Sequence, residues 1–342
     1  MTPKGVVAQL RTVAPPADGN RSAPVYRWGV GLDPVDLYEL TGDDDGAGDE
    51  PALERPVLLQ ALDGFVDAGS AVQLAREHIM STMDTKLVAR FDIDQLLDYR
   101  SRRPTMRFVE DHWESYDEPV LALYRVRDDQ GTPFLMLAGP EPDLQWERFI
   151  AAALALIERF DVRITVGMNA IPMAVPHTRP IGVTAHATRR ELIAGYEPWL
   201  RQVQVPASVA NLLEFRLGRH GHDAIGFAVH VPHYLAQSPF PAAAEELLSR
   251  LSRSTGLLLP TDDLHTAAEL VRVEVDKQVA AAEDASALVR MLEQQYDAFS
   301  RGREGNNLLA ADTAALPTAD ELGAELERFL AEHNRPPEPP QQ

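Results

Sequence analysis

The chain has 342 residues, no cysteine and a formal net charge of −20, with 45% hydrophobic and 25% charged residues. That length can bury a full core without covalent staples, and the lack of cysteine removes disulfides, thiolate nucleophiles, iron–sulfur clusters and Cys-ligated zinc together. The acidity argues against nucleic-acid and anionic-membrane partners, which need clustered Lys and Arg, and no apolar run approaches the roughly 20 residues that span a bilayer. The N-terminal segment shows no signal-peptide core, so the cytoplasm, a reducing compartment, is expected.

Residues 1–24, rich in Pro, Ala and small polar side chains, read as a loose tail. DLYEL (36–40) has the length of a short strand, and the acidic insert TGDDDGAGDEPALERP after it reads as a solvated loop. PVLLQAL (56–62) is a continuous apolar run, as expected of a strand buried on both faces. A helix is expected from Ser70 to Met83 on the spacing of Val72, Ala75, Ile79 and Met83. KLVARFDI (86–93) is a second strand. A charged stretch, YRSRRPTMRFVEDHWESYDEP, separates it from two alternating runs at 120–126 and 132–139, whose Arg127–Gly131 link has hairpin chemistry.

DLQWERFIAAALALIERF (143–160) is an amphipathic helix with Asp143 near its start. Further strands are expected at VRITVGMNAI (162–171), within PHTRPIGVTAHAT (176–188) and at DAIGFAVHVPHYLA (223–236). Helices are expected at 207–221 and 241–256, and two more between Leu264 and Phe299 with a break near Glu283–Ser286. A last short helix is possible at 319–332, before the Pro-rich end RPPEPPQQ. Strands alternating with helices through 56–256 imply a three-layer α/β/α fold with a mixed, mostly parallel sheet, to which the 120–139 hairpin contributes antiparallel members.

In open α/β sheets ligands gather at the carboxyl ends of the strands. Asp63-Gly64-Phe65-Val66-Asp67-Ala68-Gly69-Ser70 follows the first buried strand there. Its spacing matches no phosphate-binding loop, and Asp63 and Asp67 would repel a phosphate. Asp67 can instead satisfy the next helix N-terminus. Glu141, in the turn Gly139–Asp143, could work beside Asp63 as a paired carboxylate, while Asp143 reads as a cap for the helix that follows. His177 and Arg179 sit on a proline-stiffened loop suited to acid–base or anion-binding chemistry, with His186, His230 and His233 after other strands. Asp63, Asp67, Glu141, His177 and Arg179 are therefore the candidate ligand-binding residues. No HExxH pair or GxSxG elbow occurs, so the sequence names no catalytic residues, and no resident cofactor or metal site is expected.

The strand with DGFVDAGSA, the LAGPEPDLQWERF turn and helix, GMNAIPMAVPHTRP, HVPHYLAQSPFPAAAEELL and the LEQQYDAF helix together resemble the PAC2 family of proteasome assembly chaperones, and its actinobacterial branch in particular. The resemblance covers about residues 37–299. It implies a phosphorylase/hydrolase-like fold, homo-oligomers (a dimer or trimer), and a non-enzymatic protein-binding or assembly-chaperone role with proteasome subunits as partners. The chain ends Glu338-Pro339-Pro340-Gln341-Gln342 where docking chaperones carry a hydrophobic–Tyr–any-residue tail, so docking by that route is not implied. The alternative is an enzyme or small-molecule binder taking a nucleotide, nucleoside or phosphorylated ligand in the strand-end crevice. In domain terms the expectation is a tail at 1–35, an α/β domain at 36–260, a helical pair at 261–300 packed on it, and a second tail at 301–342.

Overall fold

The computed structural model describes residues 33–41, 53–197, 199 and 202–304. The tail at 1–24, most of the acidic insert, the 319–332 helix and the Pro-rich end lie outside the described residues. Eight strands form one mixed sheet: β1 (Tyr38–Leu40), β2 (Val57–Asp63), β3 (Asp84–Phe91), β6 (Ala122–Arg127), β7 (Pro133–Pro140), β8 (Ile164–Met173), β9 (Val183–Ala187) and β10 (Ala224–Pro232). Their order across the sheet is β1-β3-β6-β7-β2-β8-β10-β9. The central strands β7, β2, β8 and β10 run parallel, and antiparallel pairings lie on both sides of them.

Period-two alternation along these strands separates two cores. Val57, Leu59 and Ala61 of β2 face one way with Val166, Met168 and Phe227. They pack under α1 (Ala71–Thr82) and α4 (Pro241–Thr255). Leu58 and Leu62 face the other way with Leu135 and Leu137, beneath α2 (Trp146–Arg159) and α3 (Val209–Arg219). Because both faces are covered, the parallel strands are apolar almost throughout, and β10 is buried at every position. The chain then forms a helical pair, α5 (Asp262–Ala281) and α6 (Glu283–Glu304), broken at Ala282, just ahead of the expected break near Glu283–Ser286.

Two expectations need correction. The charged stretch before the 120–139 hairpin is not a plain separator, because it folds as a second, two-stranded sheet of β4 (Met106–Val109) and β5 (His112–Tyr116). All but one of its residues are exposed, so it lacks the half-buried alternation that announces a strand. Asp143 does not cap α2 either. It accepts from the Asp98 N–H at 2.9 Å and pairs with Arg102 at 3.2 Å, tying the β3–β4 connection to the β7–α2 turn.

The β2–α1 turn is shaped by one glycine. Gly69 adopts a φ of +68°, and a Cβ there would meet the Cβ of Phe240 at 2.7 Å. Its N–H donates to Ala236 O and its O accepts from Phe240 N, both at 2.8 Å, so the turn is zipped to the segment before α4. Replacing Gly69 by Ala is expected to cost on the order of 2 kcal/mol in urea denaturation, since strained φ and the clash with the Phe240 Cβ act together. A loss below about 0.5 kcal/mol would contradict this packing.

Candidate functional site

Register across the sheet places Gln60 of β2 beside Gly167 of β8, Gly167 beside Gly226 of β10, and Gly226 beside His186 of β9. Side chains in one such row share a face of the sheet. Two adjacent glycines therefore leave a trough, with an amide at one end and an imidazole at the other. A Cβ at Gly226 would meet the His186 ring at 2.0 Å, so this glycine is what allows the imidazole to lie across the sheet. The trough opens into a cavity of about 470 Å³ at the carboxyl ends of β2 and β8. Its roof is the first turns of α3, with Ser208 and Asn211, and the extended segment from Val203 to Pro206.

Asp67 and Glu141 both line this cavity. The Asp67 carboxylate accepts from the N–H groups of Val72 at 2.9 Å and Gln73 at 3.0 Å, which fixes the start of α1. Glu141 is 4% exposed and accepts from the Val209 N–H at 2.5 Å, holding the N-terminus of α3 over the trough. Burial pushes the carboxyls of Asp67 and Glu141 above the ordinary range, opposed by those backbone donors. Asp63 is raised by burial as well, although it is ion-paired with Arg76 and does not line the cavity.

His177 and Arg179 belong elsewhere. The Tyr234 hydroxyl accepts from the His177 N–H at 2.9 Å and lies 2.7 Å from the ring Nδ1. The other ring nitrogen, Nε2, is 3.1 Å from the Asp276 carboxylate of α5. Burial pushes the Tyr234 hydroxyl up to about 12. Arg179 grips Asp297 of α6 through two bonds of 2.7 and 2.8 Å and reaches Glu293 at 3.2 Å. Both residues latch the helical pair onto the β8–β9 loop, and neither lines the cavity.

Gln60, Asn169 and the pair of His186 with Glu214, at 2.8 Å, are cavity residues that sequence reasoning did not join. A glutamine in the middle of PVLLQAL was a visible signal, because a strand buried on both faces rarely holds an amide without a use for it. Gln60 is 3% exposed, and its Nε2 has no hydrogen-bond partner. The same is true of His233 Nδ1, also at the cavity wall. Among the described residues no group of three or more His, Asp and Glu is placed to hold a metal ion, and no described helix is long and apolar enough to cross a membrane.

The mixed sheet with helices on both faces defines an α/β protein, and the PAC2 family model matches residues 61–279. The chain belongs to the PAC2 family. It is 48% identical to a Mycobacterium tuberculosis protein of unknown function, over 84% of this chain and 99% of that one, with a TM-score of 0.74. It is 25% identical to a Mycobacterium tuberculosis proteasome-assembly chaperone homologue, over 68% of this chain and 99% of that one, at a TM-score of 0.63. A PAC2 family protein from Streptomyces avermitilis matches at 25% identity and a TM-score of 0.61, with 68% and 99% of the two chains covered. No curated protein matches the chain.

A carboxyl whose folded-state pKa is raised adds stability below the unfolded-state pKa, and that contribution is lost as pH climbs through the folded value. Carbon-detected NMR titration should therefore place the Glu141 midpoint above that of an unstructured glutamate, with Glu141→Gln flattening the corresponding limb of the stability–pH curve. A midpoint at or below the ordinary value would contradict the burial of this carboxyl.

Proposed function

We propose that this chain is a non-enzymatic protein-binding module of the assembly-chaperone kind, which works in the cytoplasm as a homo-oligomer, a dimer or trimer, and docks a proteasome subunit. The observation that carries this reading is the β4–β5 hairpin. Met106 pairs with Tyr116 and Phe108 with Trp113, so four large side chains share one face, while Arg107 and Glu114 form an ion pair of 2.9 Å. Those four are 46, 48, 55 and 62% exposed for Met106, Tyr116, Phe108 and Trp113. Tyr, Trp, Phe and Met are the side chains enriched at protein interfaces, and exposed aromatic clusters of this kind mark docking surfaces.

The similarity to a proteasome-assembly chaperone homologue supports the choice of partner. The bonding of the candidate residues supports the absence of catalysis, since Asp63, His177 and Arg179 are held in ion pairs and hydrogen bonds away from the cavity. Leu270 and Val273, 70% and 61% exposed on α5, give a surface for self-association. The net charge of −20 opposes association in general. Around this patch, however, Arg272 pairs with Glu269 and Lys277 with Glu274, so most of the local charge is paired. The cavity favours a second reading, a small-molecule binder, which is compatible with the first.

Sedimentation velocity of the purified protein, alone and mixed with α- and β-subunits of an actinobacterial proteasome, tests the proposal. A species larger than a monomer and a mixed complex are expected, and Trp113→Ser with Phe108→Ser should weaken the complex by roughly a hundredfold, as two interface anchors are lost. A monomer that sediments independently of every subunit at low salt would overturn it.

A further inference from the structure

We propose that the trough between Gln60 and His186 is a binding site for a small, non-acidic molecule, an amide- or amine-bearing compound with an apolar body, rather than for a phosphate or carboxylate. A volume of about 470 Å³ is that of a site for a small organic ligand. The walls supply Leu62, Phe65 and Ile171 for an apolar body. The polar groups among them set the charge of what fits.

Three carboxylates, Asp67, Glu141 and Glu214, line the cavity, and among the described residues no lysine or arginine does. An anion placed there would meet like charge in a partly desolvated space, which costs far more than in water. A ligand N–H donor would instead find carboxylate oxygens with lone pairs to spare, since each accepts only backbone or imidazole bonds so far. Gln60 adds a further acceptor. Its Oε1 is, at 3.8 Å, among the atoms nearest a Cβ built at Gly167, so the amide oxygen faces the trough and can take a ligand N–H. Its Nε2 is buried without a partner, and a buried orphan donor is costly to keep. His233 Nδ1, at the same wall, is a further unmet polar atom.

This site differs from the one the sequence suggested. A phosphorylated ligand would have needed Arg179 and His177, and both are committed to α5 and α6. The inference is also independent of the protein-binding role, because the hairpin and the α5 patch do not line the cavity.

The naphthalene carboxamide, carboxamidine and carboxylate share one body and differ only in the head group, so NMR titration of the full-length protein with each isolates the preference. The carboxamide and carboxamidine are expected to bind at least about tenfold more tightly than the carboxylate at neutral pH. The carboxamide should also move the Gln60 side-chain amide resonances in the unmodified protein. Gln60→Met should weaken the carboxamide several-fold while raising the melting temperature by about 2 °C, since it removes an orphan donor at similar volume. Equal or tighter binding of the carboxylate overturns the proposal, as does failure of all three probes to bind. Carboxamide binding that leaves the Gln60 resonances unmoved does so too.

Discussion

Four parallel strands covered by helices on both faces leave little room for anything but apolar side chains, and this constraint organises the molecule. Against it, the row from Gln60 through Gly167 and Gly226 to His186 is an exception in the middle of the sheet. Glycine in a strand interior sacrifices packing and raises the entropic cost of order, so adjacent glycines on neighbouring strands call for a reason. At Gly226 the reason is the His186 ring that lies over it. At Gly167 it is open space, and the cavity lies there.

The carboxylates around that space have two duties. Asp67 and Glu141 hold the first turns of α1 and α3, so the walls of the cavity are fixed by groups that also face its interior. Burial raises both carboxyls against the pull of their backbone donors, and the lining, with three carboxylates and no Lys or Arg among the described residues, offers nothing to balance an anion. His177 and Arg179, chemically well suited to catalysis, instead serve as latches for the helical pair. Residue type alone does not separate these roles; the partners do.

Much of the fold was legible in local pattern. The apolar runs at 56–62, 162–171 and 223–236 became the buried parallel strands, and the Gly and Pro signals around 241–256 bounded α4. The glycines of DGFVDAGSA marked a reversal, and Asp67 was readable as a helix cap. The β4–β5 hairpin was hidden because it buries almost nothing, so no alternation between core and solvent could appear. The trough was hidden for a different reason. Its residues come from four strands between Gln60 and Gly226 and meet only through strand register, which no local window contains. Gln60 was the exception, an amide in an apolar run whose meaning depended on the two glycines beside it.

Gly167 is glycine in order to keep the trough open, and not because its backbone demands it. Its φ is not positive, and the nearest atoms to a Cβ built there are 3.8 Å away. The melting temperature of Gly167→Ala tests this directly. A methyl group that fits an open trough and reduces the freedom of the unfolded chain should raise it by about 2 °C. A fall of several degrees would mean that the sheet is tightly packed at this point and that the trough is not a built feature of the fold.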